Sequence, residues 1–317
     1  MKKTVLIVWM IAYVLPGISQ TNLVVDPNSR YQTIEGWGVS LAWWANVAGG
    51  WSDDKIDTLC TWLTSPTGLN MNVFRFNIAG EENPAHNHFR YSAQLQGYKT
   101  TEAGPYDFTR DLTQRKILLK LKTKRSDCIF EAIAYSPPYW MTNSGCTAGN
   151  TGGTDNLKTA YYDDFADYLT EVVKYYHDNY GITFRTLAPI NEPSSGWWYV
   201  NGGQAGCHFS SANQVSIFNE VYSKLQSKTM LSYCTLSAMD ASNPRETINE
   251  LNVFAANNIL SKISQVNVHA YTHLDSIVQY QQLYDTVKKY QKRLWQSESG
   301  PWGWAVFPAM VLPITYT

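Results

Sequence analysis

Two glutamates carry the strongest chemical signal in this sequence. In Ala188-Pro189-Ile190-Asn191-Glu192-Pro193 an apolar run ends on a carboxylate beside an amide, and Leu294-Trp295-Gln296-Ser297-Glu298 repeats the arrangement. A capping or surface glutamate is the plain alternative for either one alone, because charged side chains are normally solvated. Two such strand ends are harder to explain that way. The interval between them, residues 193–297, has room for three βα units of about 35 residues each. The two carboxylates would then end strands four and seven and face each other across a barrel mouth. Paired carboxylates suit glycosidic cleavage: one protonates the leaving oxygen while the other attacks or activates water. Strands four and seven are close enough for a separation near ~5.5 Å, which fits direct attack and retention of configuration.

The elements that must position this pair are legible from periodicity. Seven short runs bounded by Gly, Pro, Asn or Ser read as strands: Thr33–Ser40, Val73–Ile78, Ile129–Ala134, Thr186–Asn191, Tyr233–Ala238, Gln265–His269 and Arg293–Ser297. Between them the period becomes helical. Tyr161, Phe165, Tyr168, Leu169, Val172, Val173 and Tyr176 form one apolar stripe, with others at Phe218–Leu225 and Ile277–Val287. Alternating strands and helices imply right-handed βαβ units and a parallel sheet. Long Trp-, Gly-, Ser- and Asn-rich segments follow the strands and brief ones precede them, the asymmetry of an α/β (β/α)8 TIM barrel. A doubly wound nucleotide fold would need a third glycine after Gly36-Trp37-Gly38 and a helix start, and both are missing.

Composition narrows the partners. A net charge of −1 with 16% charged residues offers no basic field for nucleic acid. The 12 Trp and 21 Tyr exceed what a core of this size needs, which favours a cleft that stacks on sugar rings. Trp44, Trp140, Trp197 and Trp302 all follow strand positions and are candidate platforms, as are Trp43, Trp198 and Trp304. Lys2 and Lys3, the apolar run Val5–Leu15, and Gly17 and Ser19 have the layout of a signal peptide over residues 1–19, so a secreted or periplasmic protein without a membrane span is expected. It is read as a monomer needing no cofactor. Five cysteines leave at least one unpaired; Cys146 and Cys207, both in polar loops, are the candidate disulfide. His86 and His88 share a polar loop, but two histidines without a carboxylate fall short of a metal site, so no metal is expected.

Several motifs resemble glycoside hydrolase family 30, from about Val24 to Gly300. Gln32-Thr33-Ile34-Glu35-Gly36-Trp37-Gly38 is similar to its first-strand signature, and Asn72-Val73-Phe74-Arg75-Phe76-Asn77-Ile78 to its second strand. Ser136-Pro137-Pro138-Tyr139-Trp140-Met141 is similar to the third-strand exit and Val268-His269-Ala270-Tyr271 to the sixth strand. The resemblance implies Glu192 as acid/base, Glu298 as nucleophile and Asn191 as the amide bonding the sugar 2-hydroxyl. It also implies that Arg75 and Tyr271 hold the nucleophile ionised and oriented, with His269 in the same site. Within the family, the Ser194–Trp198 exit, the Ala85–Arg90 loop and the Trp295–Glu298 strand look most like endo-β-1,6-galactanases. Relatives acting on β-1,6-glucan, xylan or glucosylceramide remain alternatives, as does a non-catalytic carbohydrate-binding protein on a decayed hydrolase scaffold.

The chain departs from the family pattern at its ends. The family has an eighth strand and helix and a side β-sandwich; only nineteen residues follow Glu298 here. The expected layout is therefore a side-sandwich strand over residues 20–32, an incomplete barrel over 33–304 and an atypical, Pro-broken tail over 305–317. With seven strands, a gap is expected between strands one and seven.

Overall fold

The structure is a computed structural model that describes residues 26, 28, 33–271, 276–299 and 313–315. The chain divides into two units, residues 1–31 and 32–317. In the first, Asp26 Oδ1 accepts the Asn28 N–H at 2.9 Å. The signal-peptide and side-sandwich segments otherwise lie outside the described residues.

The second unit is an α/β barrel. Its strands are β1 (Thr33–Ile34), β2 (Gly38–Ser40), β3 (Val73–Asn77), β4 (Ile129–Ile133), β5 (Phe184–Ala188), β6 (Thr235–Ala241), β7 (Ile263–Ala270), β8 (Arg293–Ser299) and β9 (Pro313–Thr315). The ladders run in the order β1-β9-β8-β7-β6-β5-β4-β3-β2. Strands β2 to β8 are parallel, which makes the seven parallel strands expected from the sequence. The gap is treated differently from the expectation. Strand β9, within the segment read as an irregular tail, lies antiparallel between β1 and β8. Strands β1 and β2 are consecutive pieces of one segment separated by residues 35–37, so the sheet nearly closes on itself. Gly38 is needed here: a Cβ would meet the Val73 carbonyl oxygen at 2.0 Å and break the β2–β3 ladder.

Helices α1 (Trp44–Ala48), α2 (Asp53–Thr64), α3 (Leu112–Lys124), α4 (Tyr162–Tyr180), α5 (Ser211–Ser227), α6 (Pro244–Ala256) and α7 (Ile277–Lys289) fill the connections between strands. The stripe from Phe165 to Tyr176 is the buried face of α4, with Tyr161 half-buried just before the helix, and Gly181, at φ 58, ends that helix in the left-handed conformation that glycine adopts freely. Helix α7 begins with a capping box between Ser276 and Gln279.

Alternation along the strands separates two environments. Phe74, Phe76, Phe130, Leu187, Leu236, Val266 and Val268 belong to the large apolar core shared with the helices. Arg75, Glu131, Thr186, Gln265 and Asn267 are buried as well, but hydrogen-bond to one another inside the ring. One end of the barrel is closed by Glu35, which pairs with Arg185 and accepts the Trp295 indole N–H at 3.0 Å. The other end carries the long connections 78–111, 134–161 and 189–210, whereas residues 125–128, 181–183 and 290–292 are the short returns. Among the described residues no helix is long and apolar enough to cross a membrane.

Candidate active site

Glu298 lies near the end of β8 and is aimed by a bulge. Val268 pairs with Gln296 and His269 with Glu298, so Ser297 is an extra residue in the β7–β8 ladder. Strict alternation would send Ser297 and Glu298 to opposite faces; the bulge lets both reach inward. Ser297 Oγ donates to Asp240 Oδ1 at 2.7 Å. Glu298 Oε1 accepts from Tyr135 Oη at 2.7 Å and Arg75 Nη1 at 3.0 Å, and Oε2 accepts from Tyr271 Oη at 2.9 Å. Burial, followed by the neighbouring Glu298 charge, raises both phenols' pKa, so they remain donors.

Glu192 follows β5 and is largely buried, with φ 43, a left-handed conformation uncommon for glutamate. Its Oε1 lies 3.0 Å from His269 Nδ1. His269 Nε2 is 3.3 Å from Asp240 Oδ1, and Nδ1 is 3.9 Å from Glu298 Oε2. Burial works against a charge on this ring, but Glu298 and the hydrogen bonds to Asp240 and Glu192 raise its pKa to about 10. The imidazolium that results has two N–H groups, one facing Glu192 and one facing Asp240. His269 thus sets a cation against Glu192. Both candidate carboxylates thus border one ring nitrogen, and their nearest oxygens are at most about 7 Å apart.

Arg75 is the hub beneath them. Nε reaches Glu131 at 2.8 Å, Nη2 reaches Asp240 at 2.6 Å, and Nη1 reaches Glu298 and the Ser297 carbonyl. At Asp240 burial is outweighed by Arg75 and His269, which hold its carboxyl well below the usual range. At Glu131 burial wins over Arg75 and pushes the carboxyl up. One guanidinium cannot neutralise three buried acids equally.

The remaining candidates fall in different places. Asn191 is buried, and its Oδ1 has no hydrogen-bond partner among the described residues. Trp140 is packed in the core, and Trp44 lies against it with its indole N–H on the Ser40 carbonyl at 2.7 Å. Trp197 is 52% exposed, and Trp302 lies outside the described residues. Trp43 is the candidate platform that borders a site residue: its ring centre is 5.3 Å from that of Tyr135, and the two help line a concavity with Phe89 and Asn77. Cys146 and Cys207 do not form the expected disulfide, and all five cysteines are free thiols. Cys146 turns toward His88, whereas Cys207 is packed in the core with its thiol on the His208 carbonyl. Tyr135 and Asp240 are site residues that the sequence reading missed. Asp240 is another carboxylate after an apolar strand run, but that strand was ended at Ala238, two residues short.

Residues 20–298 match the family model described as O-glycosyl hydrolase family 30. An endo-β-1,6-galactanase of Hypocrea rufa is 30% identical over 304 residues, covering 89% of this chain and 61% of that protein. An exo-β-1,6-galactobiohydrolase of Bifidobacterium longum is 24% identical over 65% of this chain and 17% of its own length. The chain therefore spans about three fifths of the first relative and a smaller part of the second. Among solved structures, a conserved exported protein from Bacteroides fragilis superposes with a TM-score of 0.74 at 18% identity, over 85% of this chain and 61% of that one.

Proposed function

The chain belongs to O-glycosyl hydrolase family 30, and on that premise we propose that it is a retaining, endo-acting hydrolase of β-1,6-galactan. Glu298 is the nucleophile and Glu192 the acid/base. The observation that carries the pairing is His269, whose Nδ1 borders Glu192 at 3.0 Å and Glu298 at 3.9 Å. The bound of about 7 Å on their nearest oxygens admits the roughly 5–5.5 Å spacing of direct attack, and retention is taken from the family resemblance.

In the first step Glu298 attacks the anomeric carbon as the glycosidic C–O bond breaks, and Glu192 gives its proton to the departing oxygen. In the second, Glu192 takes a proton from water, the water oxygen bonds to the anomeric carbon, and Glu298 leaves as a carboxylate. The three donors on Glu298 fix its orientation, and Asn191, the residue before Glu192, is the amide assigned to the sugar 2-hydroxyl. The galactan assignment rests on the two relatives' names and on the loop motifs. The apolar run Val5–Leu15 behind two lysines supports export after signal cleavage, which the N-terminus of protein recovered from culture medium would test.

Incubation with β-1,6-galactan, β-1,6-glucan, glucuronoxylan and an aryl glucoside, with the first anomer followed by NMR, tests the reading. Internal cleavage of galactan with retention is expected. A preference for glucan or xylan would remove the substrate assignment, inversion would remove the mechanism, and binding without cleavage would remove both.

A further inference from the structure

A second cluster lies apart from the Glu192–Glu298 pair. Glu82, His86 and His88 come from the connection after β3 and Cys146 from the one after β4, and one ligand atom from each falls within 4.8 Å of all the others. Cys146 Sγ is 3.4 Å from His88 Nε2 and 3.8 Å from Glu82 Oε2, and Glu82 Oε1 is 2.8 Å from His86 Nδ1. Zinc bonds of 2.0–2.3 Å place tetrahedral ligands about 3.3–3.6 Å apart. The two sulfur distances, to His88 Nε2 and Glu82 Oε2, are already near that spacing, and the His86 ring, now bonded to the other Glu82 oxygen, would give up that bond to face the ion. The carboxylate whose absence argued against a metal is Glu82, four residues before His86.

We propose that Glu82, His86, His88 and Cys146 form a structural zinc site. The surrounding bonds orient the ligands as a metal requires. His88 donates its Nδ1 hydrogen to the Gly202 carbonyl at 2.6 Å, which leaves Nε2 as the lone pair facing the thiol. Glu82 Oε2 is held by the Thr147 N–H at 2.9 Å. Two imidazoles, one thiolate and one carboxylate match zinc in softness and number, and four protein ligands make a closed site. A purely hydrogen-bonded cluster does not require an imidazole lone pair, a thiol and a carboxylate to converge on one point. Such a site ties the β3 connection to the β4 connection, and through Gly202 to the one after β5. Phe89, next to His88, then lines the concavity beside Tyr135 from a fixed position.

The test uses the full chain, purified without chelator and assayed for metal by mass spectrometry, then stripped and titrated with Zn²⁺ and Co²⁺. One zinc per chain is expected, with a thiolate-to-cobalt charge-transfer band that Cys146→Ser abolishes. His86→Ala and His88→Ala should each weaken zinc binding by at least about 10–100-fold, the scale of losing even an outer-shell partner. Chelator should lower the melting temperature of the wild type but not of His86→Ala, whose ring is 25% exposed and whose loss the fold tolerates best. Failure to bind stoichiometric zinc, a cobalt band that survives Cys146→Ser, or affinity unchanged in both histidine variants would overturn the site. If Cys146→Ser does not fold, the His86→Ala titration decides.

Discussion

The backbone N–H of Glu192 donates to the carbonyl oxygen of Asp240 at 2.8 Å, and both residues are left-handed, with φ values of 43 and 54. Two carboxylates on neighbouring strand ends thus share one backbone join. Asp240 is also the extra residue of a bulge, since Met239 pairs with Asn267 and Ala241 with Val268. Sparsely populated backbone of this kind persists where the surroundings over-determine it, and it clusters at functional sites.

From that placement Glu192→Gln is expected to lower kcat on galactan by roughly 10²–10⁴-fold, the usual size of general acid/base assistance. Glu298→Gln should cost at least as much. Steady-state kinetics on variants with wild-type melting curves checks both, and a change of only a few-fold in either would remove that residue from the mechanism.

Tyr135→Phe and Tyr271→Phe each delete one hydrogen bond to Glu298. Bonds to charged groups contribute about 1.5–3 kcal/mol, so a kcat loss of roughly 10–100-fold is expected for each. The double variant reports whether the two phenols act independently. No loss in either single variant would show that Arg75 alone holds the carboxylate.

Arg75→Met should destabilise the fold by about 3–5 kcal/mol, because it leaves Glu131 buried without its cation and Asp240 with His269 alone. Urea unfolding measures this directly. A shift below about 1 kcal/mol would mean that the acids take up protons at little cost.

His269 gives a pH dependence of definite sign. Its pKa rises from an ordinary 6.5 to about 10 on folding, so its charge stabilises the native state fully below pH 6.5. That contribution shrinks between those values and is gone above the upper one. Melting temperatures of wild type and His269→Gln, taken from pH 6 to 10.5, should therefore converge toward the alkaline end. Parallel curves would contradict a charged ring.

Five free thiols should be labelled per chain after denaturation without reductant. Mass spectrometry counts them, and three labels would indicate one disulfide.

The sequence was informative where the signal was local. All seven parallel strands follow from apolar runs with turn residues at their ends, and the glutamates follow from a charge placed where a strand should stop. His269, Tyr271 and Arg75 came with their strand motifs. What stayed hidden depends on register or on loops meeting in space. Asp240 was missed because a bulge carries β6 past the point where its apolar run ends. Tyr135 precedes Ser136-Pro137-Pro138 and looks like a packing residue until Glu298 arrives from the far side of the ring. Glu82 and Cys146 are far apart in sequence, and polar loop residues carry no period by which to pair them. Cys146 and Cys207 were joined because both lie in polar loops, although each is occupied with other partners.

The ladders around β8 are unequal: six of its residues are in register with β7, but only Leu294 and Trp295 with β9. Among the described residues, Glu298 therefore sits at the outer end of a cantilever, braced by main chain along the β7 edge and not along the β9 edge. Its guy lines are the bonds from Arg75 on β3, Tyr135 beyond β4 and Tyr271 beyond β7, which pull from separate points around the ring. Slackening any of them changes the angle of the beam tip, and a tip displaced by about 1 Å can cost 10²-fold in rate. The stiffness of this carboxylate is thus supplied by side chains, and substitutions on strands that never touch β8 can set the rate at its end.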